Sequence, residues 1–150
     1  MQRAIELARY SMETNKGGPF GCVIVKDGAV IAEGYNRVTT ENDPTAHAEI
    51  VTIRKACNTL KDFQLTGCDI YTSCEPCPMC LGAIYWARPE NVYYSATRED
   101  AAGAGFDDDF IYRQLNMTHN HQTIPFIRVP NDEAVNIFKA WKKKGNKVSY

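Results

Sequence analysis

Four residues carry the chemistry this sequence offers: His47 and Glu49 in His47-Ala48-Glu49, and Cys77 and Cys80 in Pro76-Cys77-Pro78-Met79-Cys80. Two thiolates at a three-residue offset can reach one ion from the first turn of a helix, and a histidine supplies a third ligand. Three ligands of this N/S type suit zinc and leave the fourth tetrahedral position to water. Glu49 turns that metal site into a catalytic one. It stands about 200° from His47 on an ideal helix, two steps of roughly 100° each, so it would flank the metal rather than ligate it. From there it would take a proton from zinc-bound water, whose pKa falls to about 7, and pass it to a leaving amine. A purely structural zinc site would need a fourth protein ligand instead, and Cys74, which forms a second Cys-x-x-Cys with Cys77, is the candidate.

The elements that must position these residues follow from periodicity and punctuation. Residues 43–57 read as a helix opened by Asp43-Pro44-Thr45, where Asp or Thr can cap free N–H groups. Residues 69–73 read as a strand leading into the cysteine segment, and 81–87 as a helix stopped by Pro89. Both ligand segments therefore sit at helix N-termini, whose positive dipole end favours thiolate over thiol. Ahead of them, Ile5, Leu7, Ala8 and Met12 have helical spacing over residues 2–16, ending at Gly17-Gly18-Pro19. Two short apolar runs, 23–25 and 29–32, flank Lys26-Asp27-Gly28, a hairpin signal. Beyond the cysteines, 91–96 and 123–129 read as strands, and 107–115 and 132–144 as helices. Strands alternating with helices predict an α/β domain with a central sheet.

Composition sets the class. The chain has 150 residues, 44% hydrophobic and 23% charged, which favours a single domain that buries roughly 68 to 70% of its unfolded surface. No apolar run approaches the 18 or so residues of a membrane helix, and the first residues lack the pattern of a signal peptide. The expectation is a soluble, cytoplasmic protein whose six cysteines stay reduced. Metal binding or catalysis then explains a tight cysteine cluster. Cys22, Cys57 and Cys68 read as small packing residues, His119 and His121 as part of a polar loop, and Asp107-Asp108-Asp109 as an acidic first helical turn. Five of the 17 basic residues, Lys139, Lys142, Lys143, Lys144 and Lys147, lie in the last twelve positions; the remainder carries 12 bases against 18 acids. That balance argues against a broad nucleic-acid-binding face, and the lysines read as a solvated helix face.

His-Ala-Glu followed by Pro-Cys-x-x-Cys resembles the zinc nucleoside and nucleobase deaminases, and the resemblance spans essentially the whole chain. Within that group the sequence is similar to the bacterial guanine deaminases in Gly17–Gly21, Asp43–Glu49, Tyr71–Pro89, Gly105-Phe106-Asp107-Asp108 and the terminal Tyr150. The His-Ala-Glu motif is shared with tRNA adenosine and cytosine deaminases; Gly-Phe-Asp-Asp and the terminal tyrosine carry the subtype. The resemblance implies a three-layer α/β/α fold with a mixed five-stranded sheet, one domain over 1–150, and one zinc per subunit on His47, Cys77 and Cys80. It also implies that Glu49 is the proton shuttle for hydrolysis of guanine to xanthine and ammonia at C2. Asn36 and Asp108 would hydrogen-bond the purine, Phe20 and His47 would sandwich its ring, and Ala48 and Trp86 would complete the site. Members of this group are domain-swapped homodimers, so the segment of about 131–150 would exchange between subunits and Tyr150 would enter the neighbour's pocket. A tRNA adenosine deaminase, or a deaminase of a related purine or aminotriazine, is the alternative, and a zinc-stabilised binding module without turnover is the reading from a different class.

Overall fold

The computed structural model describes residues 1–106 and 108–148, without the side chain of Asn120. The chain divides into two compact units, Met1–Tyr112 and Arg113–Tyr150.

In the first unit a mixed four-stranded sheet has the order β2-β1-β3-β4, with β1 Gly21–Lys26, β2 Ala29–Tyr35, β3 Cys68–Cys74 and β4 Asn91–Ala96. The β1–β2 hairpin forms where expected. Asp27 and Gly28 both have positive φ, 50° and 77°, the backbone a two-residue hairpin turn needs to match the twist of its strands. β1 pairs antiparallel with both neighbours, whereas β3 and β4 are parallel. A parallel pair needs a crossover, and helix α4 (Pro78–Ala87) supplies it.

Alternation along β1 assigns helices to the two faces of the sheet. Cys22 and Ile24 point to the face covered by helix α3 (Ala48–Leu60) and α4, in a core with Ile70, Leu65, Ala56 and Ile84. Val23 and Val25 point the other way, to Ala4 and Leu7 of helix α1 (Gln2–Glu13) and to Tyr71. Ile24, Leu65 and Ile70 are fully buried, and each contributes about 1.5–3 kcal/mol by leaving water. Close approach explains two glycines: a Cβ on Gly21 would strike the backbone of α1, and one on Gly34 would meet the Thr52 hydroxyl of α3 at 2.6 Å.

Several boundaries differ from the sequence reading. Asp43 and Thr45 do not cap α3. The Asp43 carboxylate accepts the Thr45 N–H at 2.8 Å and its hydroxyl at 2.7 Å, closing a local turn, and the cap position falls on His47. α4 begins at Pro78 rather than residue 81, because proline's fixed φ suits the first helical position. Two short helices, α2 (Val38–Glu41) and α5 (Arg98–Gly103), were not anticipated.

The second unit starts within helix α6 (Asp108–Leu115) and includes α7 (Asp132–Lys143). The expected strand over 123–129 does not form, so the described residues give four strands where five were expected. Pro125 brings no N–H to a ladder, and no strand among the described residues pairs with this segment. α7 is well capped: the Asn131 side chain accepts the Glu133 and Ala134 N–H groups at 2.8 and 3.4 Å. No described helix is long and apolar enough to cross a membrane.

Candidate active site

The two ligand-bearing helices start in the same way. His47 is the N-cap of α3 and Cys77 the N-cap of α4, with nearly equal extended backbones (φ −66°, ψ 156° and φ −65°, ψ 167°). Neither is one of the usual capping residues, so free N–H groups and the positive dipole ends converge on this point. His47 also stands outside the helical turn that carries Glu49. The ideal-helix separation of the pair therefore does not apply, and both side chains reach one cavity.

His47 Nδ1 lies 3.6 Å from Cys77 Sγ and 3.6 Å from Cys80 Sγ. A tetrahedral zinc, with Zn–S near 2.3 Å and Zn–N near 2.05 Å, separates sulfur from nitrogen by about 3.6 Å, so both sulfur–nitrogen distances fit that ion. These three form the one cluster of potential metal ligands among the described residues. Cys74 is not part of it. Its Sγ donates to the Thr97 carbonyl at 3.5 Å, and burial pushes its thiol up to about 11.

The electrostatics match a metal site. The Cys77 thiol is drawn down to about 4, first by the hydrogen bond from Cys80 and then, against the cost of burial, by the one from His47. Cys80, which donates that bond and is fully buried, is shifted strongly upward; a cation drawing on both sulfurs would displace its proton. His47 is raised by its hydrogen bond to Cys77. Glu49, only 6% exposed, is raised chiefly by desolvation, which favours the neutral acid and suits a group that must hold and release a proton.

Around this cluster lies a cavity of about 270 Å³. Phe20 and Phe106 form one wall, edge to face, with ring centroids 4.8 Å apart and an interplanar angle of 81°. Asn36 enters from the end of β2, and its Oδ1 accepts the Gly18 and Val38 N–H groups at 3.2 and 3.3 Å. That arrangement commits the oxygen and fixes the amide's orientation, leaving Nδ2 as the donor. Gly17 permits it, since a Cβ there would collide with the Asn36 carbonyl. Asp108, at the start of α6, also lines the cavity and adds negative potential at His47.

Residues 1–96 match the cytidine and deoxycytidylate deaminase zinc-binding region. The chain belongs to this deaminase family. It is 57% identical to a guanine deaminase of Bacillus subtilis (strain 168) over 150 residues, 100% of this chain and 96% of that protein. A crystal structure of guanine deaminase from Bacillus subtilis matches with a TM-score of 0.96 and 58% identity, over 99% of this chain and 95% of the other. A tRNA-specific adenosine deaminase of Agrobacterium fabrum (strain C58 / ATCC 33970) is 47% identical over 96 residues, 64% of this chain and 62% of that protein.

Of the expected site residues, the fold gathers His47, Glu49, Cys77, Cys80, Phe20, Asn36 and Asp108. Ala48 is fully buried in the core, so only its backbone is left to serve the site. Trp86 is 63% exposed on α4 and lies outside the cavity lining. Tyr150 lies outside the described residues. Sequence reasoning gave no site role to five lining residues: Gly18, Val38, Thr39, Glu75 and Phe106. The Glu75 carboxylate accepts the Arg98 N–H at 3.1 Å and so ties the cysteine segment to the start of α5. Phe106 had a signal in its place beside Asp107-Asp108, whereas Val38 and Thr39 had none.

Proposed function

We propose that this deaminase hydrolyses guanine to xanthine and ammonia. The observation that carries the reading is the convergence of the His47–Cys77–Cys80 triad, buried Glu49, the Asn36 amide and the Asp108 carboxylate on one cavity. The likeness to a guanine deaminase over the full 150 residues supports it, since the likeness to the tRNA deaminase covers 96.

Bound to the triad, zinc supplies the Lewis acidity that lets water act as a nucleophile near neutral pH. The remaining steps belong to the chain. Glu49 takes a proton from the attacking water and delivers it to a ring nitrogen as the C2–O bond forms, then takes the proton of the resulting C2 hydroxyl and delivers it to the exocyclic nitrogen as the C2–N bond breaks; the C2 carbonyl forms, one water is consumed and ammonia leaves. A positioned shuttle of this kind contributes typically 10²- to 10⁴-fold. Asn36 donates from Nδ2 to an acceptor on the base, and Asp108 accepts from a base N–H. A wrong base that leaves either group buried and unpaired loses about 1–3 kcal/mol. Phe20 and His47 hold the ring between them.

The same reading makes the protein a cytoplasmic enzyme of purine breakdown and a homodimer that exchanges the segment of about 131–150, with Trp86 and Tyr150 contributing to substrate sites in the assembly. Exposed apolar side chains in that segment and just before it, among them Ile127, Val129 and Phe138, support a protein partner for it. Ammonia release from guanine, adenine, cytosine, guanosine and a tRNA anticodon stem-loop tests the substrate. Guanine should be turned over with the highest kcat/KM. Robust editing of the stem-loop with no release from guanine would overturn the assignment in favour of tRNA adenosine deamination.

A further inference from the structure

A second, solvent-open apolar depression of about 360 Å³ adjoins the substrate cavity. Phe20 and Phe106 line both, so the edge-to-face pair is a shared wall with space on either side. The second space is apolar over most of its surface, with Ile5 and Ala8 of α1 and Ala101 and Ala104 of α5 among its lining. No step of the proposed reaction uses it.

The wall is held from two directions. The Phe106 N–H donates to the Ala101 carbonyl at 3.1 Å, which fixes its backbone to the end of α5, just after Gly105 with its positive φ of 93°. Gly18 packs under the rings, where a Cβ would lie 3.1 Å from Phe20 and 3.3 Å from Phe106. Phe20 is anchored separately, because its carbonyl accepts the Asn36 N–H at 3.0 Å. Truncating Phe106 therefore opens the partition and removes one packing partner of the Phe20 ring, while the Phe20 backbone, Asn36 and the metal ligands keep their own anchors.

We propose that Phe106 is a specificity-determining residue, a partition that confines the substrate cavity to unsubstituted bases by closing it off from the apolar space behind. This rests on the assignment of the first cavity as the purine site. Joined, the two cavities more than double the room, and the added space is suited to an apolar ring carried on the base. The substrates excluded by Phe106 are thus purines with a bulky apolar substituent.

The test compares Phe106→Ala, Phe106→Leu and Phe106→Tyr with the parent protein, all zinc-loaded, for binding of guanine, 7-benzylguanine and 9-benzylguanine by calorimetry and for deamination of each. Filling or vacating apolar pocket space changes discrimination by about 10- to 200-fold. Phe106→Ala should raise affinity for at least one benzylguanine relative to guanine by that amount, Phe106→Leu by less, and Phe106→Tyr should keep the parent's ratio. A residue with a merely structural role would weaken all three ligands together and leave the ratio unchanged. An unchanged ratio in zinc-loaded Phe106→Leu overturns the proposal even where Phe106→Ala does not fold. Because binding is read without turnover, a parent protein that binds guanine but releases no ammonia would defeat the functional assignment and still decide the role of Phe106.

Discussion

The two units of this chain differ in how much of their apolar surface they bury. In Met1–Tyr112, Cys22, Ile24, Leu65, Cys68 and Ile70 are wholly removed from water between sheet and helices. In Arg113–Tyr150, Ile124, Phe126, Ile127 and Val129 are 63–83% exposed, and α7 has no buried residue although Val135, Phe138 and Trp141 recur at helical spacing. Hydrophobic patterning makes an element ready for burial, but burial needs a facing surface. The first unit supplies its own in two helical layers, whereas on the proposed reading the second takes its surface from another copy. The metal-binding chemistry sits in the unit with the buried core: every described metal ligand and Glu49 belong to the first unit.

Removing a metal ligand should have the largest effect on this division. Cys80→Ser should lower zinc affinity by more than the roughly 10- to 100-fold that loss of outer-shell partners costs, while charge substitutions in α7 leave zinc content unchanged; metal analysis of the purified variants decides. Next in size is the core. Ile70→Ala should cost about 2–5 kcal/mol in denaturant unfolding because it empties a fully buried site, whereas Ile127→Ala should stay within about 0.5 kcal/mol for a chain studied alone. Phe138→Glu sharpens the contrast further. If a second copy covers α7, the parent's Tm rises with protein concentration and that of the variant does not, since mass action stabilises only what associates. An equal, concentration-independent Tm for both would mean that no second copy covers this face.

The smallest effect concerns the turn before His47. Hydrogen bonds from the Thr45 hydroxyl and N–H hold Asp43 below its ordinary pKa of 3.8. A depressed carboxylate adds stability above its unfolded pKa, and that stability is lost as pH falls through the folded value. The difference in unfolding free energy between the parent and Asp43→Ala should therefore be full at neutral pH and shrink below pH 3.8. A pH-independent difference would show that the carboxylate's charge has no part in holding the turn.

What was legible in the sequence follows the same division. The hairpin at Asp27-Gly28 and the helix that carries Cys80 rest on local signals, the convergence of His47 with Cys77 and Cys80 on two motifs thirty residues apart whose residue types suit one ion, and all three are present. Asp43 illustrates a local signal with two outcomes: the same carboxylate can cap a helix or close its own turn, and the turn prevailed because His47 takes the cap position. The strand over 123–129 was misread because alternation measures readiness to pair and Pro125 weakens that readiness. Phe106 and Glu75 gain their roles from tertiary contacts, with Phe20 and Arg98 respectively, that sequence separation conceals.

In the proposed mechanism Glu49 moves protons beside a metal held by His47, Cys77 and Cys80. Glu49→Gln keeps the side chain's size while removing its ability to hold a proton, so steady-state ammonia release from guanine, measured alongside zinc content, tests it most directly. The variant should retain its zinc and lose about 10²- to 10⁴-fold in kcat; a zinc-replete Glu49→Gln protein that turns over guanine at the parent's rate would rule out Glu49 as the shuttle.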